Sequence, residues 1–206
     1  MLLDFHSEIY SLIRGGLFIL FVYHLLIFLQ NRSKLYLFYS LYLLAITTYL
    51  FQNLFLSDIS NLRFYINFPL QFLAYASYVA FARVLIDSRT HLITWDKYFE
   101  IGIKVLLFLA PIFMLIQVLF GYDFQLKAFT MVAPILTIFT ALVLYVIFKK
   151  IKSTAAVYFI IGSLIYMLFA NISFLELLLG EEFFISRGVN SMFFIYVGIM
   201  IQSLIF

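Results

Sequence analysis

YHLLIFLQNRSKLYLFYSLYLL, residues 23–44, sets the pattern for the whole chain. An apolar run closes at Leu29, the five residues QNRSK carry a turn, and a second apolar run begins at Leu35. Working outward, apolar runs cover residues 9–29, 35–56, 64–86, 101–120, 128–148, 155–179 and 189–206. A hydrocarbon core about 30 Å thick takes about 20 apolar residues as a helix. Inside it a backbone must satisfy its own hydrogen bonds, which leaves helices or a closed barrel. Runs of this length predict an all-α, polytopic seven-transmembrane helix bundle, a single domain over residues 1–206.

Composition agrees with that pattern. Of the 206 residues 66% are hydrophobic and only 11% are charged, and mean hydropathy is +1.10. An ordinary soluble domain carries roughly 25% charged residues. After seven spans only short connections remain, so no soluble catalytic domain fits and the chain reads as no enzyme. The absence of cysteine removes disulfides, thiolate metal centres and cysteine nucleophiles. Asp4 and Glu8 stand where a signal peptide would carry basic residues, so the first span is expected to stay in the membrane.

The polar connections alternate in charge. Arg32, Lys34, Arg83, Arg89, Lys97, Lys104, Lys149, Lys150 and Lys152 gather on one side, and Arg14, Arg63, Lys127 and Arg187 on the other. Nine cations against four put the first side in the cytoplasm. Asp4, Glu8, Asp58, Asp123, Glu181 and Glu182 fall outside on this reading. The N-terminus is then outside and the C-terminus inside. The longest connection, 87–100, allows two forms. Asp87 or Ser88 could cap a short interfacial helix with Leu92, Ile93, Trp95 and Phe99 on the membrane and Arg89, Asp96 and Lys97 in water. Alternatively, the fourth helix simply extends. Tyr36, Tyr39, Tyr42, Trp95 and Tyr98 read as aromatic anchors at the inner interface.

Ionisable groups within a bilayer are costly and therefore candidates for function. Arg14 either snorkels to the outer headgroups or pairs with Glu176 at similar depth. Gln52, Asn53, Asn67, Gln71, Gln117, Asn171 and Asn190 lie in the outer halves of the spans. They would form an outward polar cavity or merely mark helix ends near an interface. The ligand-binding candidates are Arg14, Gln71, Asn171 and Glu176. His24 reads as a helix-to-helix hydrogen-bond donor rather than a metal ligand, since His6 and His91 fall on opposite sides of the membrane. With Arg83 and Trp95 it makes up the signal-transmission candidates. No metal site or cofactor is expected. Pro69, Pro111 and Pro134 are kink positions. Gly15 with Gly16, Ala76 with Ala80 and Gly162 with Ser163 would permit close helix approach, within one chain or in a homodimer.

Several membrane functions are excluded. The last run holds no lysine for a retinal Schiff base. Gly162-Ser163 is followed by Leu164 rather than glycine, and His24 lies near the other face, so a rhomboid-type protease is ruled out. No three-helix repeat appears, which removes the sweet-type sugar transporters. The lysines at 149, 150 and 152 follow from topology and do not indicate nucleic acid.

Residues 23–44, with Tyr23, His24, Arg32, Tyr36, Tyr39 and Tyr42, resemble the helix one to helix two passage of the bacterial 7TMR-DISM family. These are seven-transmembrane receptors with diverse intracellular signalling modules. The chain has His24 where the family more often has Asn. FARVLIDSRTHLITWDKYFE, residues 81–100, resembles the family's inner connection after helix three, and MFFIYVGIMIQSLIF, residues 192–206, its final span. The resemblance implies a transmembrane sensor in a bacterial inner (plasma) membrane. It would couple an extracellular ligand or sensory domain to a cytoplasmic signalling domain or partner outside these 206 residues, such as a histidine kinase or a diguanylate cyclase. A small membrane transporter or channel subunit is the alternative, with the same polar residues serving as a path.

Overall fold

The computed structural model describes residues 7–55, 62–186 and 188–205. Asp4, His6, Asp58 and Arg187, and the side chains of Asn53 and Glu181, lie outside the described residues. The helices are α1 (Glu8–Asn31), α2 (Lys34–Phe55), α3 (Leu62–Leu85), α4 (Ser88–His91), α5 (Ile93–Phe120), α6 (Tyr122–Lys150), α7 (Thr154–Phe174), α8 (Glu176–Leu179), α9 (Glu181–Ile185) and α10 (Met192–Leu204). No strand occurs among the described residues.

Six of these helices, α1, α2, α3, α5, α6 and α7, are long and apolar enough to cross a membrane. The last two expected spans need correction. The sixth ends at Phe174 rather than at residue 179, and the seventh begins at Met192 rather than at residue 189. At the first position the Leu175 amide is shared between the Asn171 and Ile172 carbonyls, which breaks the regular ladder, and Gly180 turns the chain at φ 82°. At the second, polar side chains compete with the helix. Asn190 Oδ1 accepts from the Met192 amide at 2.9 Å, and the Ser191 hydroxyl donates to Glu176. The helix therefore starts only after residues 190 and 191.

The 87–100 connection takes the extended-helix form. Asp87, at φ 44°, turns the chain into the single turn α4, and α5 then runs unbroken from Ile93. Asp87 caps no backbone amide; its carboxylate accepts from the Thr90 hydroxyl. The other links are tight for local reasons. Arg32, at φ 54°, donates its amide to Phe28 O at 2.7 Å and closes α1. Ser153 accepts from the Ala156 amide at 3.1 Å and caps the start of α7.

Helix contacts run α1–α2–α3–α5–α6–α7–α10 and back to α1, a closed ring. Cross-helix bonds give its level. Tyr39 of α2 donates to Ser203 of α10, its ring packs on Phe81 of α3 and His24 of α1, and Tyr78 of α3 stacks on Phe159 of α7. The α1–α2, α3–α5 and α6–α7 links and the C-terminal end of α10 therefore share one end of the bundle. Lys34, Arg83, Lys97, Lys149 and Lys150 belong to it, and it is called here the basic end.

Burial separates the helices. In α2 and α3 the spanning windows are 50% and 56% buried, against 17–22% in α1, α5, α6 and α7. The latter four present apolar faces outward, such as Leu12, Ile19 and Leu26 on α1 and Met131, Ile135 and Ile138 on α6. Hydroxyls within the helices bond back to their own turn, as Thr48 to Leu44 O, Thr130 to Leu126 O and Ser163 to Phe159 O. Such bonds let polar residues sit at membrane depth. Helix α10 differs from all of these. It has 13 residues, about 20 Å at 1.5 Å per residue, and no residue from Met192 to Ser203 is exposed. It is the short, enclosed member of the ring.

Candidate functional site: a tyrosine seam around the last helix

Tyr39, Tyr42, Leu43, Ile46, Tyr49 and Leu50 recur at three- and four-residue intervals, so they line one face of α2, and all are buried. That face turns toward α10 and reaches it through side chains. Tyr39 Oη donates to Ser203 O at 3.1 Å, and Tyr42 Oη donates to Gln202 Oε1 at 2.7 Å. Tyr49 Oη lies 3.8 Å from Met192 Sδ near the other end of α10. Tyrosine suits this position because its ring fills apolar space and its hydroxyl needs a partner when buried. Tyr39 and Tyr42 are therefore not the interface anchors their positions suggest, whereas Tyr98 is 53% exposed.

The seam continues into α3 and α7. The rings of Tyr42 and Tyr78 stand 5.0 Å apart, and the Tyr78 and Ser163 hydroxyls share a 2.7 Å hydrogen bond. Two groups on α10 next to these bonds, Gln202 Nε2 and Ser203 Oγ, are buried and form no hydrogen bond of good geometry among the described residues, Gln202 facing the Tyr78 hydroxyl. An orphaned polar group in an apolar interior costs about 1–3 kcal/mol. The C-terminal turn of α10 is thus strongly but incompletely bonded.

At the far end, α10 is held by Arg14. The residue is 2% exposed, and its guanidinium donates to Tyr196 Oη at 3.3 Å and to Ser11 Oγ at 3.1 Å and lies 5.9 Å from the ring centres of Phe51 and Tyr196. Tyr196 in turn donates to Leu50 O at 2.8 Å, and Tyr10 packs edge-on against its ring. One phenol thereby joins α1, α2 and α10. Both expectations for Arg14 are corrected. The side chain turns into the bundle instead of snorkelling, and Glu176 forms no ion pair with it but accepts from Ser191. Close packing adds a further hold. A Cβ on Gly198 would meet Phe169 Cβ of α7 at 2.8 Å, and one on Gly16 would meet Met200 Cε at 3.1 Å.

A second cluster sits at the basic end. Arg83 Nε and Nη2 donate to Asp96 Oδ1 and Oδ2 at 2.6 and 2.7 Å, a bidentate pair, and Nη2 also reaches Glu100 Oε2 at 3.2 Å. Ser88 Oγ donates to Asp96 Oδ1 at 2.5 Å, and Lys104 Nζ to Glu100 Oε1 at 2.8 Å. These bonds clamp α3, α4 and α5 together. Asp96 therefore faces Arg83 rather than water, and its side chain is only 13% exposed.

The remaining candidates fall as follows. His24 Nδ1 donates to Leu20 O of its own helix at 2.8 Å, so it is not the helix-to-helix donor expected. It meets α2 by its ring, 4.6 Å from that of Tyr39. Trp95 is half-buried beside Tyr98. Asn171 is exposed and donates to Met167 O on its own helix, while Gln71 is half-buried on α3 and forms no side-chain hydrogen bond among the described residues. Gln52 donates to Asn67 at 2.8 Å. Several outer polar groups are thus satisfied locally or by each other, and Arg14 is not brought together with Asn171 or Glu176. Among the described residues no group of three or more His, Cys, Asp or Glu could hold a metal. The sequence reading missed Tyr196, Gly198, Gln202 and Ser203. The three-residue tyrosine spacing of α2 was the available signal.

Comparison with known proteins adds one match. No curated protein and no solved structure matches the chain. The family model described as 7TM diverse intracellular signalling matches residues 7–206. The chain therefore belongs to the 7TM diverse intracellular signalling family, as a multi-pass membrane receptor module.

Proposed function

We propose that the chain couples an extracellular ligand or sensory domain to a cytoplasmic output domain or partner through movement of α10. The observation that carries this reading is the enclosure of that helix, with its C-terminal turn bonded by Tyr39 and Tyr42 at the basic end. An element whose ends are bonded to different helices can report on their relative positions. Arg14 and Tyr196 would pass a change at the outer end to α10, and Tyr39, beside His24, would register it at the inner end. The Arg83 and Asp96 clamp, next to Trp95, would fix α5 as the reference against which α10 moves. A ligand can drive this only by binding one arrangement more tightly than the other.

The same reading makes seven crossings, with the N-terminus outside and the basic end in the cytoplasm of a bacterial inner membrane. A short α10 is compatible with a crossing because no residue from Met192 to Ser203 is fully exposed, which relaxes the match to bilayer thickness. No catalytic step is assigned to the chain, and a homodimer is the simplest assembly.

The lack of cysteine permits a direct test. In sealed vesicles, Glu182→Cys is expected to react with a membrane-impermeant maleimide from the outside, and Thr90→Cys only after permeabilisation. The reverse pattern contradicts the orientation. Substrate-specific solute flux in reconstituted liposomes would contradict the receptor reading and favour a transporter.

A further inference from the structure

We propose that the α6–α7 junction binds the phosphate headgroup of an anionic phospholipid. A hollow of about 540 Å³ opens there between the two helices. Lys152, Ser153 and Thr154 form its polar rim, and Phe148, Val157 and Tyr158 its apolar flank. That division, polar at the helix ends and apolar along the spans, follows the division of a phospholipid into headgroup and chain.

Charge bookkeeping over the basic end supports an external anion. Two carboxylates of this end are paired with cations, Asp96 with Arg83 and Glu100 with Arg83 and Lys104, and Asp87 accepts from the Thr90 hydroxyl on its own turn. Among the described residues no carboxylate pairs with Lys149, Lys150 or Lys152. Lys149 lies over the Tyr145 ring at 5.9 Å; Lys152 lines the hollow and is exposed, and Lys150, also exposed, stands two residues before it at the end of α6. Ser153 Oγ already accepts from the Ala156 amide, so its own proton remains to donate outward. Thr154 is exposed, and its hydroxyl forms no hydrogen bond among the described residues.

A second hollow supplies an internal control. Leu126, Lys127, Thr130 and Met131 line it, and its Thr130 hydroxyl is spent on Leu126 O at 2.9 Å. Each hollow is lined by one lysine and by apolar area; two hydroxyls with protons left to donate, and two further lysines next to the rim in sequence, belong only to the first.

The inference needs α6 and α7 to span the membrane and is independent of which side the basic end faces, so its failure leaves the receptor reading standing. The test uses the full chain in detergent, with phosphatidylglycerol and phosphatidylcholine as probes and retained lipid read by native mass spectrometry. Phosphatidylglycerol is expected to be retained preferentially. Lys150→Gln and Lys152→Gln should each weaken it about fivefold, Thr154→Val should weaken it less, and Lys127→Gln should leave it unchanged. Inorganic phosphate at millimolar concentration should not displace the lipid, because it gains nothing from the apolar flank. Equal retention of the two lipids, equal loss in Lys127→Gln, or displacement by inorganic phosphate would each overturn the proposal.

Discussion

The Tyr42 hydroxyl donates to Gln202 Oε1 at 2.7 Å, and both side chains are almost fully buried, between α2 and the last helix. Removing only the phenol oxygen strands an acceptor beside a Gln202 Nε2 that already forms no hydrogen bond of good geometry among the described residues. Tyr42→Phe is therefore expected to lower stability by about 0.5–1.5 kcal/mol. Adding Gln202→Leu should recover most of that loss, since neither member of the pair then leaves a polar group unpaired. Thermal unfolding in detergent of the two single variants and the double variant, read as a mutant cycle, checks this. Additive losses would show that the bond carries no coupling.

Gly198 and Gly15 predict opposite outcomes for the same substitution. Gly198→Ala puts a Cβ 2.8 Å from Phe169 Cβ, and neither atom can rotate away. It should cost about 1–3 kcal/mol. Gly15 has nothing within 4 Å of an added Cβ, so Gly15→Ala should stabilise the chain by up to about 1 kcal/mol through helix propensity. Melting temperatures of the two variants, falling for one and rising for the other, make the comparison.

Arg83→Lys is expected to behave like a loss rather than a conservative change. Lysine offers no planar fork for the two Asp96 oxygens and cannot also reach Glu100. Amide exchange in residues 86–96 should accelerate in Arg83→Lys and Arg83→Gln alike, whereas exchange in α10 near Tyr196 should not. Protection of residues 86–96 equal to wild type in Arg83→Lys would assign the clamp to charge alone.

Arg14 and Glu176 should be energetically independent. Arg14 donates to Tyr196 and Ser11, Glu176 accepts from Ser191, and among the described residues no ion pair joins the two. Reversing both charges is predicted to be at least as damaging as the sum of the single reversals. A double reversal better than either single one would restore the ion pair that the arrangement of side chains denies.

The spans of α1, α2, α3, α5 and α6 were legible because long apolar runs have one physical solution in a bilayer. The 171–192 region was not. Whether Asn190 and Ser191 enter a helix or cap it depends on Glu176 being close by, a tertiary fact. Tyr39 and Tyr42 were ambiguous for a related reason: a tyrosine near a helix end suits an interface and a buried bond equally well, and only the position of Gln202 and Ser203 decides. Arg14 was recognised as costly but given the wrong remedy, because Tyr196 lies 182 residues away in sequence.

The central claim is that α10 moves against α2 when the tyrosine seam is loosened. Spin labels at Lys34→Cys and Leu204→Cys, both exposed positions at the basic end, allow their separation to be measured by pulsed dipolar spectroscopy in nanodiscs. A second distance population is expected to grow when Tyr39→Phe and Tyr42→Phe are added, which remove both bonds from α2 to the C-terminal turn of α10. A single distance, unchanged by those substitutions, would contradict it.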